Sequence, residues 1–280
     1  MIPAPFDYEV AESAEHAISL LRGRGDDAKL LAGGHSLLPA MKLRLARPSL
    51  LVDVGRLGDL AYVRDAGEHV AIGALTRHKD VRDSEVLRER CPIVAETAAQ
   101  IGDPQVRHRG TIGGSLAHGD PASDLPAVML ALDARLVVRG EAGDRVVPAS
   151  QFFTGVFACD IGPTEMLVEV QVPKLDASVG SAYVKFHRRA QDWATVAVAA
   201  VVERSNGSIA KASIGLTNMG GTPLRATAAE EALAGGASIA DAAALAADGT
   251  EPPSDTAASA EFRRHLARVL TRRALEQAAG

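Results

Sequence analysis

Two short glycine segments carry the residue types best suited to binding a ligand through the peptide backbone. The first is Ala32-Gly33-Gly34-His35-Ser36, and the second is Thr111-Ile112-Gly113-Gly114-Ser115. Paired glycines permit positive φ angles and bring backbone N–H groups close to a ligand. Each segment adds a hydroxyl or ring donor, and Ser36 is a candidate N-cap for a helix over residues 37–44. The two segments therefore predict halves of one cradle for an anion such as a diphosphate.

Neither segment matches the common nucleotide-binding fingerprints. The sequence has no Gly-x-Gly-x-x-Gly after its first predicted strand and no Gly-Lys-Ser/Thr ending. This disfavours a Rossmann site or a P-loop and favours a diphosphate held between two separate loops. The alternative is that both glycine pairs are ordinary turns, because Gly-Gly is common at chain reversals.

The composition is that of a globular protein with a substantial apolar core. The 280 residues are 47% hydrophobic and 23% charged, which is typical of globular chains, and the length suggests two domains. The net charge of −5 argues against a nucleic-acid-binding surface. No apolar stretch approaches the roughly 18 residues of a membrane span, and no signal sequence is evident at the N-terminus. We therefore expect a cytoplasmic protein that is not integral to a membrane.

Cysteine usage excludes some redox sites within the chain itself. Cys91 and Cys159 are the only cysteines, so the chain cannot form a disulfide scaffold or a four-cysteine iron–sulfur site. We interpret both as core residues.

Hydrophobic periodicity predicts a small β-α-β lobe that delivers the first glycine segment. A strand over residues 6–10 precedes a helix capped by Ser13, whose apolar face is formed by Ala14, Ala17, Ile18 and Leu21. Leu30-Leu31 forms a buried strand that ends at the glycine segment, and residues 50–54 form the next strand.

The middle of the chain mixes short strands and helices around the second glycine segment. Polar residues 101–109 are interpreted as a loop. The predicted strands cover residues 62–63, 69–72, 135–139, 145–147 and 166–172, with a hairpin turn at 142–144. The predicted helices cover residues 76–90, 93–100 and 121–132.

The composition changes after Pro173, which marks a predicted domain boundary. Three strands are predicted over 182–186, 195–203 and 209–216, with Asn206-Gly207 as the turn between the last two. Three helices follow over 226–234, 238–246 and 261–278. The last has a stripe of Phe262, Leu266, Val269 and Leu270, and its five arginines are interpreted as a solvated face.

Five sequence pieces, taken in order, resemble one known family. They are residues 32–39, residues 102–115, Ser123-Asp124, the run from Lys185 through Arg188-Arg189 to Asp192-Trp193-Ala194-Thr195, and Leu216-Thr217-Asn218. Together they resemble the FAD-binding medium subunit of molybdenum hydroxylases, the xanthine dehydrogenase and aerobic carbon monoxide dehydrogenase group. The pieces span nearly the whole chain.

The resemblance implies an α+β fold with a two-lobed FAD-binding domain of the PCMH (vanillyl-alcohol oxidase-like) type over residues 1–175. Lobe one would cover about 1–57 and lobe two about 58–175. A C-terminal domain of the carbon monoxide dehydrogenase flavoprotein type would follow over 176–280, built from an antiparallel three-stranded sheet with helices.

The resemblance also implies the residues that hold non-covalent FAD. The diphosphate would lie between residues 32–36 and 111–115. Ile101 and Leu167 would form apolar walls, Asp124 would accept from a ribose or ribityl hydroxyl, and Lys185 would supply positive charge. Trp193, the only tryptophan, would lie near the isoalloxazine ring.

Several of these residues have plainer interpretations from the sequence alone. Lys185 lies in an alternating strand and would be an exposed lysine, while Leu167 would be a core residue. Trp193 would be buried between the domains. A metal cluster of His108, His118, Asp120 and Asp124 is also conceivable, although the spacing fits no strong metal motif. We expect no metal and no catalytic side chain, and we interpret His35 as part of the glycine segment.

The function implied by the resemblance is electron transfer. A large partner subunit would carry the molybdenum cofactor, and a small one would carry two [2Fe–2S] clusters, in a dimer of heterotrimers. Electrons would pass from the clusters through FAD to a quinone, NAD or dioxygen. The alternatives are a non-catalytic assembly subunit, a stand-alone flavin oxidoreductase and a metal-dependent hydrolase. The substrate stays open among carbon monoxide, purines, aldehydes and N-heterocycles.

Overall fold

The computed structural model describes residues 1–205 and 208–280, and its N-terminal part is a small parallel sheet with two helices. Its elements are β1 (Asp7–Val10), α1 (Ala14–Arg24), β2 (Ala28–Leu31), α2 (Leu37–Lys42) and β3 (Leu50–Asp53), with strand order β1-β3-β2. Ser13 caps α1 by accepting a hydrogen bond from the His16 N–H at 3.1 Å. The predicted apolar face of α1 is buried, which confirms the β-α-β prediction.

The central part is an antiparallel five-stranded sheet with seven helices and a small two-stranded ribbon. The strand order is β4-β5-β10-β6-β7, and β8 pairs with β9. Its elements are β4 (Val63–Asp65), β5 (His69–Gly73), α3 (His78–Asp83), α4 (Glu85–Arg90), α5 (Pro92–Ala99), α6 (Pro104–Arg109), α7 (Ile112–His118), α8 (Asp124–Ala131), β6 (Arg135–Gly140), β7 (Gly143–Pro148), α9 (Ala149–Phe152), β8 (Phe153–Gly155), β9 (Ala158–Cys159) and β10 (Met166–Pro173). The predicted strands and the hairpin between β6 and β7 are confirmed.

The helices of the central part differ from the predictions where a local cap starts a new element. The single helix predicted over 76–90 is split, because Ser84 caps α4 by accepting from the Leu87 N–H. The loop predicted over 101–109 contains α6, because Asp103 accepts from the Val106 N–H at 2.9 Å and Pro104 occupies the first helical position. The helix predicted from residue 121 begins only at Asp124.

The C-terminal part is an antiparallel sheet of order β11-β12-β13-β14 covered by helices. Its elements are β11 (Val179–Phe186), β12 (Val196–Ser205), β13 (Ser208–Thr217), β14 (Leu224–Arg225), α10 (Thr227–Ala234), α11 (Ile239–Ala244) and α12 (Ala260–Ala279). The three predicted strands are confirmed, and the two-residue β14 adds a fourth that the expected three-stranded sheet did not include. The predicted turn at Asn206-Gly207 lies outside the described residues.

The predicted solvated arginine face of helix α12 is wrong for Arg263, whereas Arg268, Arg272 and Arg273 are exposed. Arg263 has only 1% of its surface exposed, and its guanidinium donates two hydrogen bonds of 2.8 Å to the carboxylate of Asp255. Phe262, predicted on the buried stripe, is 43% exposed, whereas Leu266 and Leu270 are buried. In the described part of the chain, none of the helices is long and apolar enough to cross a membrane.

Apolar side chains join the three parts. The N-terminal core continues into Val137, Met166 and Val168 of the central sheet. All eight residues of α8 are buried, and the surrounding core includes Ala197 and Ala199 of β12. The three parts therefore share apolar cores, and the elements that surround the space between them are packed into these cores.

Candidate functional site

A cavity of about 440 Å³ lies where the three parts meet, within the size range of small-molecule sites. Its wall combines the β2–α2 connection, the start of α7, the segment before α8, β10 and the β11–β12 loop (residues 187–195). Of the predicted FAD residues, the wall includes Ala32, Gly33, Gly34, His35, Ser36, Ile101, Thr111, Gly113, Gly114, Ser115, Asp124, Leu167 and Trp193. Two predicted residues, Ile112 and Lys185, lie behind the wall.

The first glycine segment lines the cavity with residues 32–36. Among the described residues, no acceptor is found for the backbone N–H groups of residues 33–36. Gly34 has a φ of 76°, in the left-handed region that favours glycine. Ser36 occupies the N-cap position of α2 but makes no capping hydrogen bond with its side chain, so the predicted cap is wrong. The four consecutive backbone N–H groups of residues 33–36 are thus available to a ligand.

The second glycine segment is the first turn of α7 rather than the predicted loop. Its N–H groups have protein partners: Ile112 N donates to Thr76 O at 3.0 Å, and Gly113 N donates to Ala74 O at 2.8 Å. Gly114 N donates to Thr111 Oγ1 at 3.2 Å. The prediction that both segments offer free N–H groups is thus wrong for this one, because the 74–76 segment and the helix cap use them.

The glycines of the second segment serve different purposes. A Cβ on Gly113 would lie 2.5 Å from Ala74 Cβ, so this glycine is required for packing. Gly114 is exposed, and apart from Thr111 Oγ1 its nearest neighbour would be Ala32 Cβ at 3.8 Å. Gly114 therefore keeps the cavity open between the two segments.

The two glycine segments are in direct proximity although nearly eighty residues separate them. A Cβ on Gly33 would lie 2.3 Å from Arg109 O and 2.8 Å from Gly110 Cα, immediately before Thr111. Only glycine permits this approach of one backbone to the other. The structure therefore places the cradle of the first segment against the start of the second.

His78 is a cavity residue that the sequence did not reveal. It starts α3 with 3% exposure, and its backbone N–H donates to Gly110 O at 2.9 Å. Its Nδ1 has no hydrogen-bond partner among the described residues. Burial lowers the pKa of His78 to about 4, so the ring is neutral near pH 7. A lone histidine after a strand has no spacing pattern by which it could have been identified.

Asp124 and Lys185 form a buried ion pair at the edge of the cavity. Lys185 Nζ lies 3.0 Å from the Asp124 carboxylate and donates to Gln100 O at 3.2 Å, with 1% of the side chain exposed. Tyr183 donates its hydroxyl to Asp124 Oδ1 at 2.6 Å. Burial raises the pKa of Asp124, an effect that Lys185 opposes, and burial raises the pKa of Tyr183 well above its usual range. The interpretation of Lys185 as an exposed lysine is wrong.

The apolar residues predicted for the site divide between wall and core. Leu167 is 6% exposed and lines the cavity beside the half-buried Ile101. Ile112 is fully buried in the core of the central part. Trp193 lines the cavity with 69% of its surface exposed, so its alternative interpretation as a residue buried between domains is wrong.

Three of the four residues of the alternative metal cluster have other contacts. Asp124 is paired as described, Asp120 accepts from the Ala122 N–H, and the His118 ring lies 5.0 Å from that of Phe157. Within residues 1–205 and 208–280, no group of three or more metal-ligating side chains converges.

The two cysteines have no ligand-like setting. Cys91 is buried, and the half-buried Cys159 donates to Leu116 O at 3.3 Å. Burial raises both thiol pKa values to about 12.

Comparison with known proteins identifies the family. Residues 4–175 match the FAD binding domain in molybdopterin dehydrogenase, and residues 181–278 match the CO dehydrogenase flavoprotein C-terminal domain. The carbon monoxide dehydrogenase medium chain of Afipia carboxidovorans is 44% identical, over 99% of this chain and 98% of the relative. The 6-hydroxypseudooxynicotine dehydrogenase complex subunit alpha of Paenarthrobacter nicotinovorans is 42% identical, over 99% and 96%.

A solved structure agrees with these sequence matches. Carbon monoxide dehydrogenase from Hydrogenophaga pseudoflava contains a chain that superposes with a TM-score of 0.96 and 45% identity, covering 99% of this chain and 98% of that one. The expected α+β architecture and FAD as the cofactor are therefore confirmed. The chain belongs to the FAD-binding domain family of molybdopterin dehydrogenases, as the medium, FAD-binding subunit of an oxidoreductase of the molybdenum hydroxylase type.

Proposed function

We propose that FAD binds in the described cavity with its diphosphate on the N–H groups of residues 33–36. The observation that carries this proposal is that these four donors have no acceptor among the described residues, at a cavity wall that glycine keeps open. Peptide N–H groups in such a concave row bind phosphate oxygens without side-chain charge. The neutral His78 ring adds a further polar group beneath Gly110.

The rest of the proposed FAD site orients the cofactor. Ile101, Leu167 and the start of α7 form the apolar and close-packed wall, and Trp193 offers an aromatic surface at the opening. Ser115 and Ser123 share a hydrogen bond of 2.8 Å and present hydroxyls beside Asp124. Lys185 acts indirectly, because it neutralises and holds Asp124 from behind the wall.

The proposed role is to pass electrons from the [2Fe–2S] clusters of a small partner subunit to a quinone, NAD or dioxygen. FAD, when bound, supplies the redox chemistry, and the chain positions it and controls access. Two cysteines are too few to ligate two clusters with cysteine, which supports a partner as the electron source. We take residues 1–175 as the FAD-binding unit, 176–280 as the C-terminal unit, and the cytoplasm as the location.

Substrate choice is proposed to belong to the large molybdenum-containing partner. Two relatives, both 42% identical to this chain, are named for carbon monoxide and for 6-hydroxypseudooxynicotine. Similarity in this subunit therefore does not distinguish between these two substrates.

The experiment is to purify the chain, add FAD and record the visible spectrum of the desalted protein. We expect a flavin spectrum and chromatographic release of intact FAD. Gly114→Val should abolish binding, because Gly114 is exposed in the cavity between the two segments. Gly58→Val is the matched control, since a Cβ there meets nothing within 4 Å. Full flavin occupancy in Gly114→Val would contradict the proposed site, and so would a lack of flavin in the unmodified chain even with the partner subunits present.

A further inference from the structure

The β11–β12 loop carries the only tryptophan of the chain to the cavity. Gln191, Asp192 and Trp193 line the wall, while most of the indole surface stays exposed. The loop closes where Thr195 N donates to Phe186 O at 2.9 Å. An exposed indole has few contacts of its own, so its position depends on the backbone immediately after it.

Asn218 holds that backbone. Its Nδ2 donates to Ala194 O at 3.0 Å and to Thr195 O at 3.2 Å. Its own N–H donates to Pro121 O at 2.9 Å, in the segment that leads to Asp124. Asn218 has a φ of 62°, an unfavourable region that asparagine tolerates better than most residues. Asn218 thus ties the backbone after Trp193 to the segment that leads to Asp124.

Arg263 reinforces the same point from α12. Its Nη1 donates to Thr195 O, and its Nε donates to Pro253 O at 3.0 Å. Ala194 and Thr195 are 2% and 5% exposed, so these carbonyl groups have little access to water. The backbone after Trp193 is therefore fixed by two side chains distant in sequence, and of these two residues Asn218 is also bonded to the segment that leads to Asp124.

We propose that Asn218 is a positioning residue that fixes Trp193 at the cavity mouth for contact with bound FAD. The proposal rests on the proposed FAD site. A pre-positioned aromatic side chain loses less conformational freedom when the ligand binds, so its contact adds more affinity. Asn218 acts through the backbone of residues 194–195 and contacts no reacting atom.

The test uses Trp193 as its own optical reporter in the full chain without added cofactor. Asn218→Gly removes the side-chain donor but permits the positive φ, so it separates positioning from backbone strain. We expect time-resolved fluorescence anisotropy to show a larger fast component in the variant. FAD titration, followed by quenching of the same fluorescence, should show a Kd about three- to tenfold higher than that of the unmodified chain, the scale of one lost aromatic contact.

Controls separate positioning from general destabilisation. Thr250→Val removes a buried hydroxyl that donates to Ala247 O in the same C-terminal part and makes no hydrogen bond to the loop, so it should change neither readout. Asn218→Asp keeps the size and the tolerance of positive φ while replacing the donor, and serves if Asn218→Gly does not fold. Unchanged anisotropy and Kd in a folded Asn218 variant would overturn the inference. If the unmodified chain binds no FAD, the FAD site fails, and the anisotropy still decides whether Asn218 positions Trp193.

Discussion

The buried polar residues at the cavity edge hydrogen-bond and pair with one another. Asp124 would be costly to bury alone, but it accepts from the Tyr183 hydroxyl and pairs with Lys185. Burial still raises the pKa of Asp124, which shows that the pair does not fully offset its desolvation. The buried charge of Lys185 is therefore stabilised by the Asp124 carboxylate rather than by water.

Lys185→Met should destabilise the protein in a pH-dependent manner. It leaves the Asp124 carboxylate buried without a counter-charge, which typically costs about 3–5 kcal/mol. A carboxyl whose pKa is raised by folding binds its proton more tightly in the native state, so stability falls as pH rises through the raised pKa. Urea unfolding should therefore show a larger loss at pH 7.5 than at pH 5.

The control for this prediction is Lys174→Met, which removes a lysine whose partner Asp65 is far more exposed. It should cost less than about 1 kcal/mol, as surface pairs do. An equal loss at both pH values for Lys185→Met would show that the carboxylate does not drive the effect.

At the scale of elements, the short helices of the N-terminal and central parts differ in whether a side chain caps their first turn. Ser84 caps α4 with its side chain, Asp103 does so for α6, and Thr111 does so for α7. Ser36 stands at the corresponding position of α2 without making such a bond. Because the Ser36 hydroxyl does not cap α2, it is available to hydrogen-bond a ligand.

Ser84→Ala and Ser36→Ala should therefore separate stability from binding. Loss of the Ser84 cap should lower the free energy of unfolding by about 1 kcal/mol. Ser36→Ala should change it by less than about 0.5 kcal/mol but weaken FAD binding. Urea unfolding and FAD titration of both variants measure the two quantities. Equal destabilisation by both substitutions would contradict the difference in capping.

The sequence predicted the elements that depend on local pattern. Apolar runs bounded by turn residues located the long strands β10 to β13, and the cap at Ser13 with its apolar stripe located α1. The sequence pattern did not predict α6, because this helix is only six residues long. Nor did it predict the start of α7, where backbone N–H groups donate to the carbonyl groups of Ala74 and Thr76 in a segment far away in sequence. The glycine pairs predicted residues that line the cavity, but the burial of Lys185 and His78 depends on which elements pack over them.

At the scale of the whole molecule, the cavity exists only because three parts converge. The cradle comes from the N-terminal part, α7 and α8 from the central part, and Trp193 from the C-terminal part. Neither glycine segment would form this site alone. We accordingly expect the three parts to fold together into one unit before the partner subunits bind.

Co-expression with the neighbouring subunits should yield a complex of three kinds of chain. A flavin that passes electrons between proteins needs its donor held close, so we expect the molybdenum and [2Fe–2S] subunits to copurify as a dimer of heterotrimers. Light scattering after size-exclusion chromatography measures the mass. A monomeric chain that oxidises substrate fully without partners would contradict the assignment of partners.

The cradle at residues 33–36 has a consequence for how the cofactor responds to salt. Its donors are peptide groups, which carry no net charge and hold no counterions that binding would release. The chain as a whole is anionic, with a net charge of −5, so long-range attraction does not draw a diphosphate to it. Raising the ionic strength should consequently leave the cofactor in place, whereas a site built on arginine and lysine would lose it.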